Sequence, residues 1–195
     1  MSELDKRYTS ILRKNLHTYA VIRRDVIKYS GDALHHAKRA IFALHRGEHE
    51  IAKAKILEAE SLIKELHKKY KKYPSIREEG AYKAALEEIV EAALFYSFVF
   101  NKKLTKLSAF EIDEEVFLAG LCDVPGELYR YAIQAATNHD SKTVARCLET
   151  AKEIFSELME FDFTKYLRTK FDQAKGAIHK LEIVMYEISL REKNS

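Results

Sequence analysis

Six glycines and two prolines are all that punctuate a chain of 195 residues. Glycine supplies positive-φ turns and proline stops helices and interior strands, so a chain poor in both has few places to turn. A sandwich, or a strand–helix alternation, needs many more such positions. Long helices remain, and the apolar spacing suits them. Leu12, Leu16, Tyr19, Ile22, Val26, Ala33, Ala37, Ile41 and Leu44 step by three, four or seven, which sets one stripe on a first helix spanning 2–45, ended by Gly47. At 1.5 Å per residue it is roughly 60 Å long. That exceeds the needs of one compact domain and suggests contact with another subunit.

A second helix is expected over 48–73, with Ile51, Ala54, Ile56, Ala59, Leu62 and Leu66 inward and Tyr73-Pro74 as its stop. Ser75 with Glu78, and Ser108 with Glu111, read as capping boxes that open helices over 75–103 and 108–138, the latter kinked at Pro125 and Gly126. Asp140 caps a fifth helix, 141–160, and a break at Phe161 to Phe163 precedes a sixth, 164–193. The expected architecture is all-α: a single domain, 1–195, forming a bundle of six to seven helices.

Composition narrows the function classes. The formal charge is +3, from 33 basic and 30 acidic residues, so any nucleic-acid contact must come from local clustering. No Gly-rich phosphate loop is present. Cys122 and Cys147 fit no metal spacing and read as buried reduced thiols, in keeping with a cytoplasmic location. The first residues carry no signal-peptide pattern, and the most apolar stretch, 89–100, is too short to span a bilayer, so no membrane role is expected.

The anomaly lies in two of the most apolar helices. Residues 92–100 are nearly apolar all round, the mark of a buried helix, yet Glu88 and Glu91 precede them three apart and share a face. Glu87 points elsewhere, towards solvent. In the next apolar helix Asp123 and Glu127, four apart, again share a face. Buried carboxylates need a partner. Arg130 can pair with them, one can stay protonated, or a divalent cation can sit between them. An oxygen-only set favours Mg2+ or Mn2+. Periodicity leaves a salt-bridge network and a metal site both open. No Glu-x-x-His occurs, which argues against a di-iron bundle. His35, His36, His45 and His49 read as solvated, polar-face histidines.

The segment Phe117-Leu-Ala-Gly-Leu-Cys-Asp-Val-Pro-Gly-Glu-Leu-Tyr-Arg130 resembles the hallmark segment of the translin family. Ala135-Ala-Thr-Asn-His-Asp140 and Lys180-Leu-Glu-Ile-Val-Met-Tyr-Glu-Ile-Ser-Leu-Arg191 continue the likeness, which is weakest in the first two helices. Within the family, translin binds single-stranded RNA and DNA, and translin-associated factor X (TRAX) supplies the catalytic acids of a Mg2+-dependent ribonuclease. Glu88, Glu91 and Asp123 stand where the TRAX branch has its acids and translin does not. Pro125 departs from the usual TRAX residue, and the long insertion between helices three and four is absent, as in the short archaeal TRAX-like proteins.

The resemblance implies a Mg2+-dependent endoribonuclease (Mn2+ as the substitute) acting on RNA inside a homo-oligomeric shell, an octamer. It implies Glu88, Glu91 and Asp123 as catalytic metal ligands, Glu127 as a fourth ligand or acceptor, and Arg130 in support. RNA needs basic contacts to phosphate. Arg23, Arg24, Arg77 and Lys83 are the candidates, three of them matching basic positions of translin. The basic, aromatic run 67–73 reads as a lysine-rich helix end that offsets the dipole. The alternatives are a non-catalytic, translin-like oligomer coating single-stranded RNA or DNA, and a structural scaffold with salt-bridged acids.

Overall fold

A computed structural model describes residues 4–193. Six helices form it: α1 Lys6–His45, α2 His49–Lys69, α3 Gly80–Val99, α4 Glu114–Thr137, α5 Ser141–Leu158 and α6 Lys165–Lys193, with a 3-10 turn at Pro74–Glu78 before α3. There is no strand among the described residues. The first three helices pack on one another, as do the last three, and contact between α3 and α4 joins the two triplets. Their inward side chains form one continuous hydrophobic core. No described helix is long and apolar enough to cross a membrane.

Helix ends follow local chemistry. Asp5 caps α1 by accepting from the amides of Arg7 and Tyr8, and Asp140 caps α5 by accepting from Thr143 at 3.0 Å. Gly47, at φ 72°, ends α1 in a Schellman motif: its own amide bonds Leu44 O and that of Glu48 bonds Ala43 O. Asn101 and His139 occupy the same left-handed position after α3 and α4.

Several sequence expectations need correction. The expected start of α1 at residue 2 lies outside the described residues. Neither capping box forms: Ser75 and Glu78 fall in the 3-10 turn, α3 starts after Glu79, and Asp113 rather than Ser108 caps α4, accepting from Glu115 at 3.0 Å. The earlier stop of α2, at Lys69, precedes a turn closed by Tyr73 N on Tyr70 O. Its inward residues are Ala52, Ile56, Ala59, Ile63 and Leu66, while Ile51 and Ala54 face outward. Pro125 and Gly126 lie within α4, as expected. Most important, the stripe of α1 is buried only from Ile22 onward. Tyr8, Ile11, Leu12 and Leu16 are exposed, Leu16 by 70%, so the first third of α1 carries an apolar edge that its own bundle leaves uncovered.

Candidate active site

α3 is the inner helix that bridges the triplets, so its faces are covered by α1, α2 and α4. Ile89, Val90, Ala92, Leu94 and Phe95 are accordingly buried, and Glu91 among them is only 8% exposed. No ion pair or hydrogen bond among the described residues involves the Glu91 carboxylate. Burial pushes its carboxyl up to about 9, and the charges of Asp123, Glu88 and Glu127 push in the same direction. The two acidic faces therefore meet across the α3–α4 contact.

Each other acid has a cation. Lys38 of α1 lies 3.9 Å from Glu88, whose carboxyl is raised by burial and only partly drawn back by that lysine. Lys170 of α6 binds the Asp123 carboxylate and lies 3.5 Å from Glu87. Burial raises the Asp123 carboxyl despite this bond. Burial would raise Glu127 too, but the hydrogen bond to His45 and the charge of Arg130 outweigh it and hold Glu127 below the usual carboxylate value. His45 Nε2 is 2.5 Å from Glu127, and Arg130 donates to it at 3.1 Å with its guanidinium 5.3 Å from the Phe42 ring centre. Lys38, Ile41, Phe42, Glu88, Glu91 and Glu127 line a cavity of about 200 Å3 that Arg130 completes.

The site thus has two sides, with Glu91 between them. Glu88, Glu91 and Glu127 open on the cavity beside α1. Asp123 turns towards α6, where it shares Lys170 with Glu87, and Tyr166 donates to Glu87 at 2.6 Å. Glu87, expected in solvent, is a half-buried member of this second side. Asp123 and Glu127 share a helix face but are drawn to different partners.

A divalent cation suits this donor set in kind. The donors are oxygens, they are shielded from water, and no described side chain supplies Glu91 with a counter-ion. In arrangement the acids are spread: among the described residues no three His, Cys, Asp or Glu side chains converge closely enough to hold a metal. Lys170 on one side, and His45 with Arg130 on the other, account for the separation.

The basic candidates divide. Arg23 bonds Glu79 at 3.0 Å, and Tyr19 donates to the same carboxylate, so this arginine is anchored beside the 3-10 turn. Arg77, in the turn, lies 3.8 Å from Glu111, and Lys83 lies 3.2 Å from Glu78; both line a cleft of about 300 Å3. Arg24 is exposed, and its Nε bonds only Ala20 O, at 3.4 Å.

Sequence reasoning missed Lys38, His45, Lys170 and Tyr166. Lys38 and His45 did carry a signal, lying seven apart on α1 with Ile41 between them on the inward face. Lys170 and Tyr166 carried none within a helix rich in lysine. The other histidines correct the solvated reading in part: His36 lies 2.9 Å from Glu58, and the His49 ring packs on Phe100. In the lysine-rich run, Lys69 bonds Asp25 at 2.5 Å and His67 bonds Tyr82.

Comparison with known proteins places these residues in context. A model of the translin family matches residues 21–192. An uncharacterized protein of Methanocaldococcus jannaschii is 27% identical over 183 residues, covering 88% of this chain and 80% of its own. AfC3PO in complex with duplex RNA is 28% identical at a TM-score of 0.87, over 96% of this chain and 100% of that one. AfC3PO in another crystal structure is similar at 0.86, over 94% and 98%. Apo-NeC3PO, 20% identical over 96% and 100%, shares the fold at 0.83.

Proposed function

The chain belongs to the translin family, and from that premise we propose that it is a Mg2+-dependent endoribonuclease of the TRAX type, working within a homo-oligomeric shell. The observation that carries this reading is Glu91: buried, without a counter-ion among the described residues, and within reach of the charges of Asp123, Glu88 and Glu127. A protein gains nothing in stability from such a group, so its presence is best explained by a ligand that needs it. The similarity to AfC3PO, which has been solved with duplex RNA, supports RNA as the substrate class. The apolar edge of α1 supports assembly, and an octamer is the form the resemblance suggests.

Glu88, Glu91 and Asp123 would hold the ion, with Glu127 as a fourth oxygen donor, once Asp123 turns from Lys170 and the carboxylates draw together. When bound, Mg2+ or Mn2+ supplies Lewis acidity at the phosphate and lowers the pKa of a water. The chain supplies the rest. Glu91 gives up its proton so that its oxygens are free to bind. Lys38, at the rim of the cavity, offsets Glu88 and meets an incoming phosphate. His45 and Arg130 fix the Glu127 carboxylate, and Arg130 is itself held against Phe42. Arg23, Arg77 and Lys83, gathered about the start of α3, and Arg24 on α1 lead the RNA backbone towards these acids.

The test is cleavage of single-stranded and short duplex RNA with Mg2+ and with EDTA. Turnover that needs Mg2+ and is lost in Glu91→Ala, with the helical signal intact, is expected. Wild-type cleavage by Glu91→Ala would overturn the assignment. One observation favours a second reading, a non-catalytic coat on single-stranded RNA or DNA: Asp123 and Glu127 already have protein cations, Lys170 and Arg130. That reading predicts binding with no metal-dependent turnover.

A further inference from the structure

Where α4 and α5 meet the end of α3 there is a second cavity, of about 530 Å3, which shares no residue with the acid site. We propose that it binds a 5′-phosphorylated nucleotide, either free or as the end of an RNA strand. This proposal does not depend on the ribonuclease reading.

The cationic end of the cavity is built from Arg146, Lys102 and Lys103. None of them forms an ion pair among the described residues. Arg146 lies 4.3 Å above the buried Phe98 ring, and its Nη1 donates to Asn101. Its Nε, shielded from solvent, has no acceptor among the described residues. A guanidinium N–H buried without an acceptor is costly. Because Nε is closed to solvent and Nη1 is taken by Asn101, a phosphate oxygen meets the guanidinium at Nη2, in a charge-assisted hydrogen bond. Lys102 Nζ lies 5.4 Å from the Tyr96 ring centre and 5.7 Å from that of Phe100. The floor is fixed as well: Asn101 holds the left-handed turn after α3, with its amide on Phe98 O. Such preorganisation lowers the cost of binding.

The opposite end is acidic. Arg146, Thr150, Glu153 and Glu157 recur at helical spacing on one face of α5, and all four line the cavity. Glu153 is seven residues from Arg146, roughly 10 Å along the axis. Neither glutamate is ion-paired among the described residues. Leu104, Leu121 and Ile154 supply an apolar wall. A bare anion satisfies only the cationic end, and an acidic peptide is repelled by Glu153 and Glu157. A phosphate ester whose hydroxyl or amino donors stand one nucleoside away satisfies both ends, with the base on the apolar wall. The volume is within the usual range for such ligands.

Isothermal titration in EDTA at low salt, using AMP, adenosine and inorganic phosphate, tests this without engaging the acid site. AMP should bind at least tenfold more tightly than either fragment, and Arg146→Gln or the exposed pair Lys102→Ala/Lys103→Ala should cost at least tenfold. Should AMP fail to bind, a short RNA with a 5′-phosphate is compared with its 5′-hydroxyl form. A preference for the phosphate that is lost in the double lysine variant assigns the cavity to the strand end. No AMP binding together with no 5′-phosphate preference, or binding unchanged in the variants, overturns the proposal. The lysine pair decides if Arg146→Gln fails to fold. RNA cleavage is read separately, so either idea can fail without the other.

Discussion

Gly120 of α4 packs directly on Val90 of α3: a Cβ built at Gly120 would stand 2.7 Å from the Val90 Cβ and 2.7 Å from the Glu87 carbonyl oxygen. Both helices are therefore as close as their backbones allow, next to Glu91 on one side and one turn before Asp123 on the other. Gly120→Ala forces them apart, and overpacking of this kind costs about 1–3 kcal/mol. The melting temperature should fall by several degrees. Gly126 has open space at the same test, so Gly126→Ala in a helix interior should stabilise by about 0.5–1 kcal/mol. Thermal unfolding of the two variants checks the pair. Similar shifts in both would remove the close-approach argument.

The neutral state of Glu91 makes stability depend on pH. Its folded value, about 9, lies above the ordinary glutamate value of 4.5. Between those values the folded chain keeps a proton that the unfolded chain has released. Stability from this group therefore falls as pH rises from about 5 to 9, by at most about 1.4 kcal/mol per pH unit. Glu91→Gln should flatten that slope and be at least as stable as wild type at pH 8. Denaturant unfolding at pH 5, 7 and 8 reads it directly, and parallel slopes for the two proteins would refute it. Mg2+ should also stabilise the wild type more at pH 8 than at pH 6, because binding displaces the Glu91 proton.

Glu127 titrates with the opposite sign. Its value is depressed, so its contribution is present above 4.5 and is lost as pH falls through its own lower value. Removing the partner, in His45→Ala, should cost about 1–3 kcal/mol at pH 7. The cost should shrink once Glu127 is protonated. A double-mutant cycle with Glu127→Gln, measured at pH 7 and at pH 3.5, isolates the pair. A coupling near zero at pH 7 would show that His45 acts only through its packing on Phe95, whose ring centre is 4.9 Å away.

These pairings mark what sequence could and could not reveal. The Glu88 and Glu91 pair was legible because a local period, three residues on a helix, sets both side chains on one face. Asp140 was legible as a cap for the same reason: its partner, Thr143, is three residues on. The boxes at Ser75 and Ser108 show the limit, since Glu79 and Asp113 stood close by as competing starts. His45 with Glu127 spans 82 residues and Lys170 with Asp123 spans 47, and no period relates such positions. The α1 stripe was legible as a stripe, but its first third lies beyond the reach of the bundle that buries the rest.

That uncovered edge carries a prediction of its own. Tyr8, Ile11, Leu12 and Leu16 form an exposed apolar strip on a helix that outruns its bundle. Such a strip marks a contact between chains. Leu12→Glu/Leu16→Glu should break or shrink the assembly in light scattering while leaving the melting temperature of each subunit nearly unchanged, because neither leucine contributes to the core. An assembly of unchanged mass would place the contact elsewhere.

The basic residues on α1 and about the start of α3 differ in how freely they can meet phosphate. Arg24 has no carboxylate partner among the described residues, whereas Arg23 is tied to Glu79 and Arg77 faces Glu111. Removing one side chain that neutralises a phosphate should reduce the slope of log K against log salt by roughly 0.7–0.9. Arg24→Ala should therefore lower both affinity and slope for any RNA, without changing sequence preference. Arg23→Ala should do so and also release Glu79, which adds a carboxylate near the RNA path and weakens binding further. Filter binding at several salt concentrations distinguishes the two. An unaltered slope in Arg24→Ala would remove that residue from the RNA surface and leave the turn, with Arg77 and Lys83, as the site of contact.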